Sequence, residues 1–211
     1  MRIDAAELDA ERTYRLLSGI IVPRPIAWIT TQNACGSVNL APFSAFTYVS
    51  NKPPMIGVNI GRKAGVRKDT AVNMARTGEF VVNIGDQTMV EQIHMSAEEH
   101  PVDVSEVTLL GLDVADSQLI RTPRLAMTAV SMECKLHSVI PFGLTGSEFH
   151  VGEIVAFHVR DGLLIDGKID TRTLNPVCRL GGPNYAGLGE VITLRAIKQT
   201  AKTVIAESGE Q

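Results

Sequence analysis

Residues 24–46 read RPIAWITTQNACGSVNLAPFSAF, and the alternation inside this stretch decides the fold class. Pro23 and Pro25 hold the entering chain extended, because proline fixes its own φ and pushes the residue before it out of the helical region. From there Ile26, Trp28 and Thr30 alternate with Ala27, Ile29 and Thr31, the two-residue period of a strand. The polar cluster QNACGS at 32–37 supplies hairpin turn chemistry, so a strand is expected over 26–31 with a returning edge from Asn39 to Ser44.

Working outward, FTYVS at 46–50 and MIGVNI at 55–60 are rich in β-branched and aromatic residues and are separated by the breaker NKPP. Asp69 opens TAVNMAR before Thr77-Gly78, an N-cap and a glycine stop around a short helix. EFVVNI at 79–84 reads as strand. Asp86 caps a second expected helix to about Ala97, with Met89, Val90, Ile93 and Ala97 on one face. The next stretch is loop-rich, and then residues 129–140 give the cleanest alternation: Val130, Met132, Cys134 and Leu136 against Ser131, Glu133, Lys135 and His137. Further strands are expected at 148–159, closed by the turn Arg160-Asp161-Gly162, and at 191–197 (VITLRAI). Residues 11–17 form a short helix or turn. Roughly six to eight strands with few, irregularly placed helices exclude repeated βαβ units and predict a mainly β, antiparallel barrel with inserted helices.

A chain of 211 residues with no linker-like stretch is read as one domain spanning 1–211. Its formal charge of -3 lacks the basic excess that nucleic-acid binding would need. Cys35, Cys134 and Cys178 are too widely spaced for a disulfide framework or a CxxC motif, and no run approaches the apolar length of a membrane span. A cytoplasmic protein with no membrane and no nucleic-acid partner is expected.

The basic turn GRKAGVRKDT at 61–70 brings Arg62, Arg67 and Lys68 to a helix start at Asp69 and Thr70, where backbone N–H groups and cations would suit a phosphate. The spacing alone equally describes a solvated charged turn, and it is not a P-loop. Asn39 to Ser44 offers an amide, backbone groups beside a proline and short polar side chains, which could hydrogen-bond the carbonyl and N–H edge of a flavin; a plain proline-containing strand edge is the alternative. The five histidines form no HExxH or Cys/His cluster, so no metal is expected. His150 starts a strand after a glycine-containing turn and is a candidate for a cleft mouth. Cys35 has no neighbour in sequence that would lower a thiol pKa. There is no GxSxG elbow and no GxGxxG after a strand, so any nicotinamide must dock on a ring already bound.

Taken together, PRPIAWITT (23–31), the Gly36 turn, NLAPFSAF (39–46), VSNKPPMIGVNI (49–60) and KDTAVNMARTGEFVVNI (68–84) resemble the flavin reductase-like family of FMN-binding split-barrel proteins. FHVGEIVAFHV (149–159) and NPVCRLGGPNYAGLGE (175–190) are similar to the family's later segments. The resemblance implies a Greek-key split β-barrel that forms a homodimer, with FMN in a groove to which both subunits contribute. It also implies NADH or NADPH as electron donor and a partner monooxygenase or other electron acceptor; a flavoredoxin-like electron carrier without a nicotinamide site is the alternative. Carried onto this chain, Thr30, Thr31, Asn39, Ala41, Pro42 and Ser44 would line the ring and ribityl chain. Arg62, Lys68, Asp69 and Thr70 would receive the phosphate, and His150 and Tyr185 would lie near the nicotinamide. The loop 179–190 is the expected gate.

Overall fold

The computed structural model describes residues 1–200. Seven strands form the main sheet: β1 Ala27–Gln32, β2 Val38–Phe43, β3 Phe46–Asn51, β4 Pro54–Ile60, β5 Glu79–Ile84, β6 Val130–Phe142 and β7 Ser147–Val159. They lie in the order β2-β1-β5-β6-β7-β4-β3, and every neighbouring pair is antiparallel. The two end strands of this order, β2 and β3, are consecutive in the chain and separated only by Ser44 and Ala45. A link that short reaches about 10 Å, so the sheet has to curl until its edges approach. The result is a mainly β, Greek-key split barrel with inserted helices, its split lying between β2 and β3.

The helices are α1 Ala10–Ile20, α2 Asp69–Thr77, α3 Val90–Met95 and α4 Glu106–Leu109, with one more turn at Thr171–Leu174. Strand β1 shows why its two faces are both apolar. Ala27 and Ile29 join Val58, Phe80, Val82 and Cys134 inside the barrel, where Ala71 and Met74 of α2 join the same core. Ile26 and Trp28 face the other way, into a second core with Leu40, Ile93 of α3 and Val107 of α4. The buried indole N–H of Trp28 is satisfied by Ser96 Oγ at 2.9 Å. Period-two alternation thus feeds two cores from one strand.

Three expectations change. The helix expected from Asp86 to Ala97 is a single tight turn, Gln87–Met89, followed by α3; Asp86 caps the turn by accepting from Thr88 N–H at 2.8 Å, and the α-helical part starts three residues later. Residues 191–197 form no strand: among the described residues they pair with no neighbour, and Ile192, Leu194 and Ile197 are exposed. Alternation signals a strand only where an edge is available to pair with it. Cys35 does have a group that lowers its thiol pKa, the Ser37 hydroxyl 3.1 Å away.

Candidate functional site: a groove beside the split

The groove begins where α2 starts against the β1–β2 hairpin. A cavity of about 320 Å³ lies elsewhere, under His94 and Tyr185. The one that collects the basic turn is about 470 Å³ and is lined by Asn39, Ala41, Pro42, Arg67, Lys68, Asp69 and Thr70. Ala97, His100 and Glu106 also line it. A smaller cavity of about 150 Å³ abuts it at Pro42 and Ala97 and is lined by Tyr14, Arg24, Ser44, Arg179 and Tyr185. The two segments singled out in the sequence, 39–44 and 61–70, therefore meet along one groove, although Arg62 does not line it.

Its floor is a buried polar network. Asn39 Nδ2 donates to Thr31 Oγ1 at 3.1 Å and Thr70 Oγ1 at 3.0 Å, while Asn73 Nδ2 donates to Thr31 Oγ1 at 3.1 Å and Asn33 Oδ1 at 2.7 Å. Thr31 is thus the shared acceptor that ties β2 and α2 to β1, beneath the groove rather than in its wall. Thr30 points to the opposite face, as a strand neighbour must, and donates to Pro123 O at 2.7 Å. Of the expected pair, only Thr31 touches the groove's framework.

Lys68 occupies the N-cap position of α2 and makes no side-chain capping bond, so the first-turn N–H groups have no side-chain acceptor from that residue. Its ammonium sits 5.4 Å from the centre of the Phe43 ring, and its pKa is lowered by desolvation and then by Lys63. Lys63 itself pairs with Glu99. Among the described residues Lys68 has no carboxylate partner. Arg67 also lines the cavity, and its Nε donates to Glu148 Oε2 at 2.9 Å. Arg62, expected beside it, does not line the groove: its guanidinium is held by Glu148 Oε1 and Gly65 O, each at 3.3 Å.

At the other end, Arg24 gathers the structure around the small cavity. Its guanidinium donates to Ser44 Oγ at 3.3 Å, to Ser18 O and Ile21 O at the end of α1, and to Leu180 O at 2.9 Å. Residues 24–25 pair with 178–179, which pair with 185–186, so the expected gate is anchored as a three-stranded ribbon. Arg179 lies 4.5 Å over the Tyr185 ring and also bonds its hydroxyl, which meets His94 Nδ1 at 3.1 Å. Tyr185 lines the small cavity.

His150 does not. Its side chain has no solvent exposure; Nδ1 faces Glu148 O at 3.1 Å and Nε2 has no hydrogen-bond partner. Burial lowers its pKa. A fully enclosed ring on β7 cannot contact a nicotinamide, which corrects the expectation drawn from its place at a strand start. Glu106 and Arg24 were not singled out in the sequence. Glu106 is nearly buried in the groove wall, Oε2 accepts from Leu40 N–H at 2.9 Å, and burial raises its carboxyl pKa against the pull of that N–H. Arg24 at least lies in the opening stretch, between the two prolines that hold the entering chain extended.

A cation-rich helix start and a polar strand edge sharing one groove on a split barrel define a protein of the flavin reductase type. The flavin reductase like domain model matches residues 18–172, and the chain belongs to that family of oxidoreductase enzymes. The structure is similar to nitrilotriacetate monooxygenase component B from Bacillus cereus, with 39% identity, a TM-score of 0.89 and coverage of 92% of this chain and 98% of that one. It is also similar to Pseudomonas fluorescens 2-nitrobenzoate 2-nitroreductase NbaA, with 31% identity, a TM-score of 0.84 and coverage of 99% and 100%. An uncharacterized protein of Halalkalibacterium halodurans is 42% identical over 199 residues, 92% of this chain and 95% of its own length. No helix of the described residues is long and apolar enough to cross a membrane.

Proposed function

We propose that the groove holds FMN and that the protein is an NADH- or NADPH-dependent flavin reductase. The observation that carries this reading is the open start of α2: first-turn N–H groups without a side-chain cap, beside Lys68, Arg67 and the Thr70 hydroxyl, in the same cavity as Asn39, Ala41 and Pro42. That donor set fits a phosphate dianion, because the helix terminus carries partial positive charge and the side chains add charge-assisted donors. Asp69, in the first turn, contributes its backbone N–H. Glu106 offers an acceptor to ribityl hydroxyls, and the Pro42–Ser44 edge with Arg24 and Tyr185 walls the ring end.

Bound FMN would supply the redox chemistry, taking hydride at N5 from nicotinamide C4. The chain's own work is binding and orientation: the Arg24 clamp and the Arg179–Tyr185 stack fix the wall at the ring end, and no side chain has to act as general base. Residues 178–186 lie beyond the matched family segment yet pair with residues 24–25, so we take the chain as one functional domain.

A homodimer completes this reading. None of the residues of α1 is buried, and Tyr14, Leu17 and Ile20 are exposed although Tyr14 lines the groove. An apolar face beside a site is covered by a second copy, which would then add to the groove. The likeness to a protein named as a monooxygenase component supports delivery of reduced flavin to a separate oxygenase; we propose a cytoplasmic location. The test is nicotinamide oxidation, followed at its absorption band with FMN and NADH or NADPH. Flavin-dependent oxidation is expected; none at any flavin concentration overturns the reductase and leaves an electron carrier.

A further inference from the structure

Arg67 and Arg62 both point at one carboxylate, and the asymmetry between them is informative. Glu148, the second residue of β7, is in register with Ile60, the last residue of β4, and the turn 61–70 springs from that strand. Its carboxylate is only 13% exposed and takes Arg67 Nε at 2.9 Å on one oxygen and Arg62 at 3.3 Å on the other. Burial alone would raise this carboxyl's pKa, but the two guanidiniums outweigh it and hold it below the ordinary glutamate value. Arg62 is seated across Gly146, where a side-chain carbon would sit 2.7 Å from its Cδ. Of the two arginines only Arg67 reaches the groove.

We propose that Glu148 is a positioning residue for phosphate recognition: it holds Arg67 by Nε so that the terminal nitrogens face the groove, and it holds Arg62 out of it. The inference rests on the reading of the groove as an FMN site. An arginine has about five N–H donors in a rigid fork, so occupying Nε from behind orients the remaining edge at low entropic cost. Glu148 touches no part of the groove itself. Its action is indirect and specific to the phosphate end. The buried Nε2 of His150, 4.0 Å from Glu148 Oε2, is the only other titratable group close to it among the described residues.

The experiment compares binding of FMN with binding of riboflavin, which has the same ring and ribityl chain but no phosphate. Glu148→Gln removes the charge that anchors Arg67; FMN affinity should fall about tenfold, in line with loss of one oriented charged hydrogen bond, while riboflavin affinity changes less than about twofold. Arg62→Ala should leave the FMN-to-riboflavin ratio unchanged. Equal weakening of both ligands by Glu148→Gln, or no change in either, overturns the proposal, as does loss of the ratio in Arg62→Ala. If Glu148→Gln does not fold, Glu148→Asp keeps the charge but withdraws it by one methylene, and the same selective loss of FMN is expected. Lys68→Ala separates the two levels: if it too leaves the ratio intact, the phosphate site itself is misplaced, whereas a lowered ratio in Lys68→Ala alone removes only the role of Glu148.

Discussion

Thr31→Val tests the floor of the groove without opening a cavity, since valine has nearly the same shape. In the folded protein Thr31 Oγ1 accepts from two buried amides, Asn39 at 3.1 Å and Asn73 at 3.1 Å. Each amide keeps its other bond, to Thr70 and Asn33 respectively, so the substitution leaves two buried N–H groups without their protein acceptor. A buried donor left without an acceptor costs about 1–3 kcal/mol, which puts the total for the two at about 2–6 kcal/mol. That is a large share of the roughly 5–15 kcal/mol that holds a typical domain together. For a chain of this size, at about 2–4 °C per kcal/mol, it corresponds to a fall in Tm of about 4–24 °C. Urea denaturation with a matched thermal melt measures it, and the m-value should stay constant. A loss below about 0.5 kcal/mol would refute the network as the element that ties α2 to β1.

Three further outcomes follow from particular contacts. Burial would raise the Glu133 carboxyl, but the N–H of Gln118, His158 at 2.5 Å and the N–H of Leu119 together lower it below the ordinary value of 4.5. A depressed carboxyl stabilises the fold above its unfolded pKa, and that contribution disappears as pH falls below about 4.5; Glu133→Gln should flatten this acid limb in stability measured against pH. Gly152→Ala places a Cβ 2.4 Å from the Phe80 ring inside the barrel and should cost about 1–3 kcal/mol by denaturant titration. Ile20→Glu, on the exposed face of α1, should convert the proposed dimer to monomer in light scattering; an unchanged mass would remove α1 from that interface.

Strands β1 and β6 were legible from alternation and β3 and β4 from their β-branched and aromatic residues, and β1 shows both faces apolar for a reason that the two cores then supply. Which arginine reaches the groove was not legible. That choice depends on Glu148, whose bond to Arg67 spans a separation of 81 residues. The same holds for Glu106, which enters the groove only because Leu40, 66 residues away, needs an acceptor for its N–H. Adjacent threonines on β1 read alike in sequence, yet parity sends Thr30 to Pro123 and Thr31 to the groove floor. His150 misled because a strand start after a glycine turn says nothing about which layer closes over the ring. Residues 191–197 carry the alternation of a strand but have no edge to join among the described residues.

The most direct measurement is a titration of flavin-free protein with FMN, followed by quenching of flavin fluorescence and repeated with riboflavin and with inorganic phosphate as competitor. Saturable binding of FMN, weaker binding of riboflavin and displacement of FMN by phosphate are the predicted results. Absence of saturable binding, or equal affinity for FMN and riboflavin, would contradict the assignment of Lys68, Arg67 and the start of α2 to a flavin phosphate.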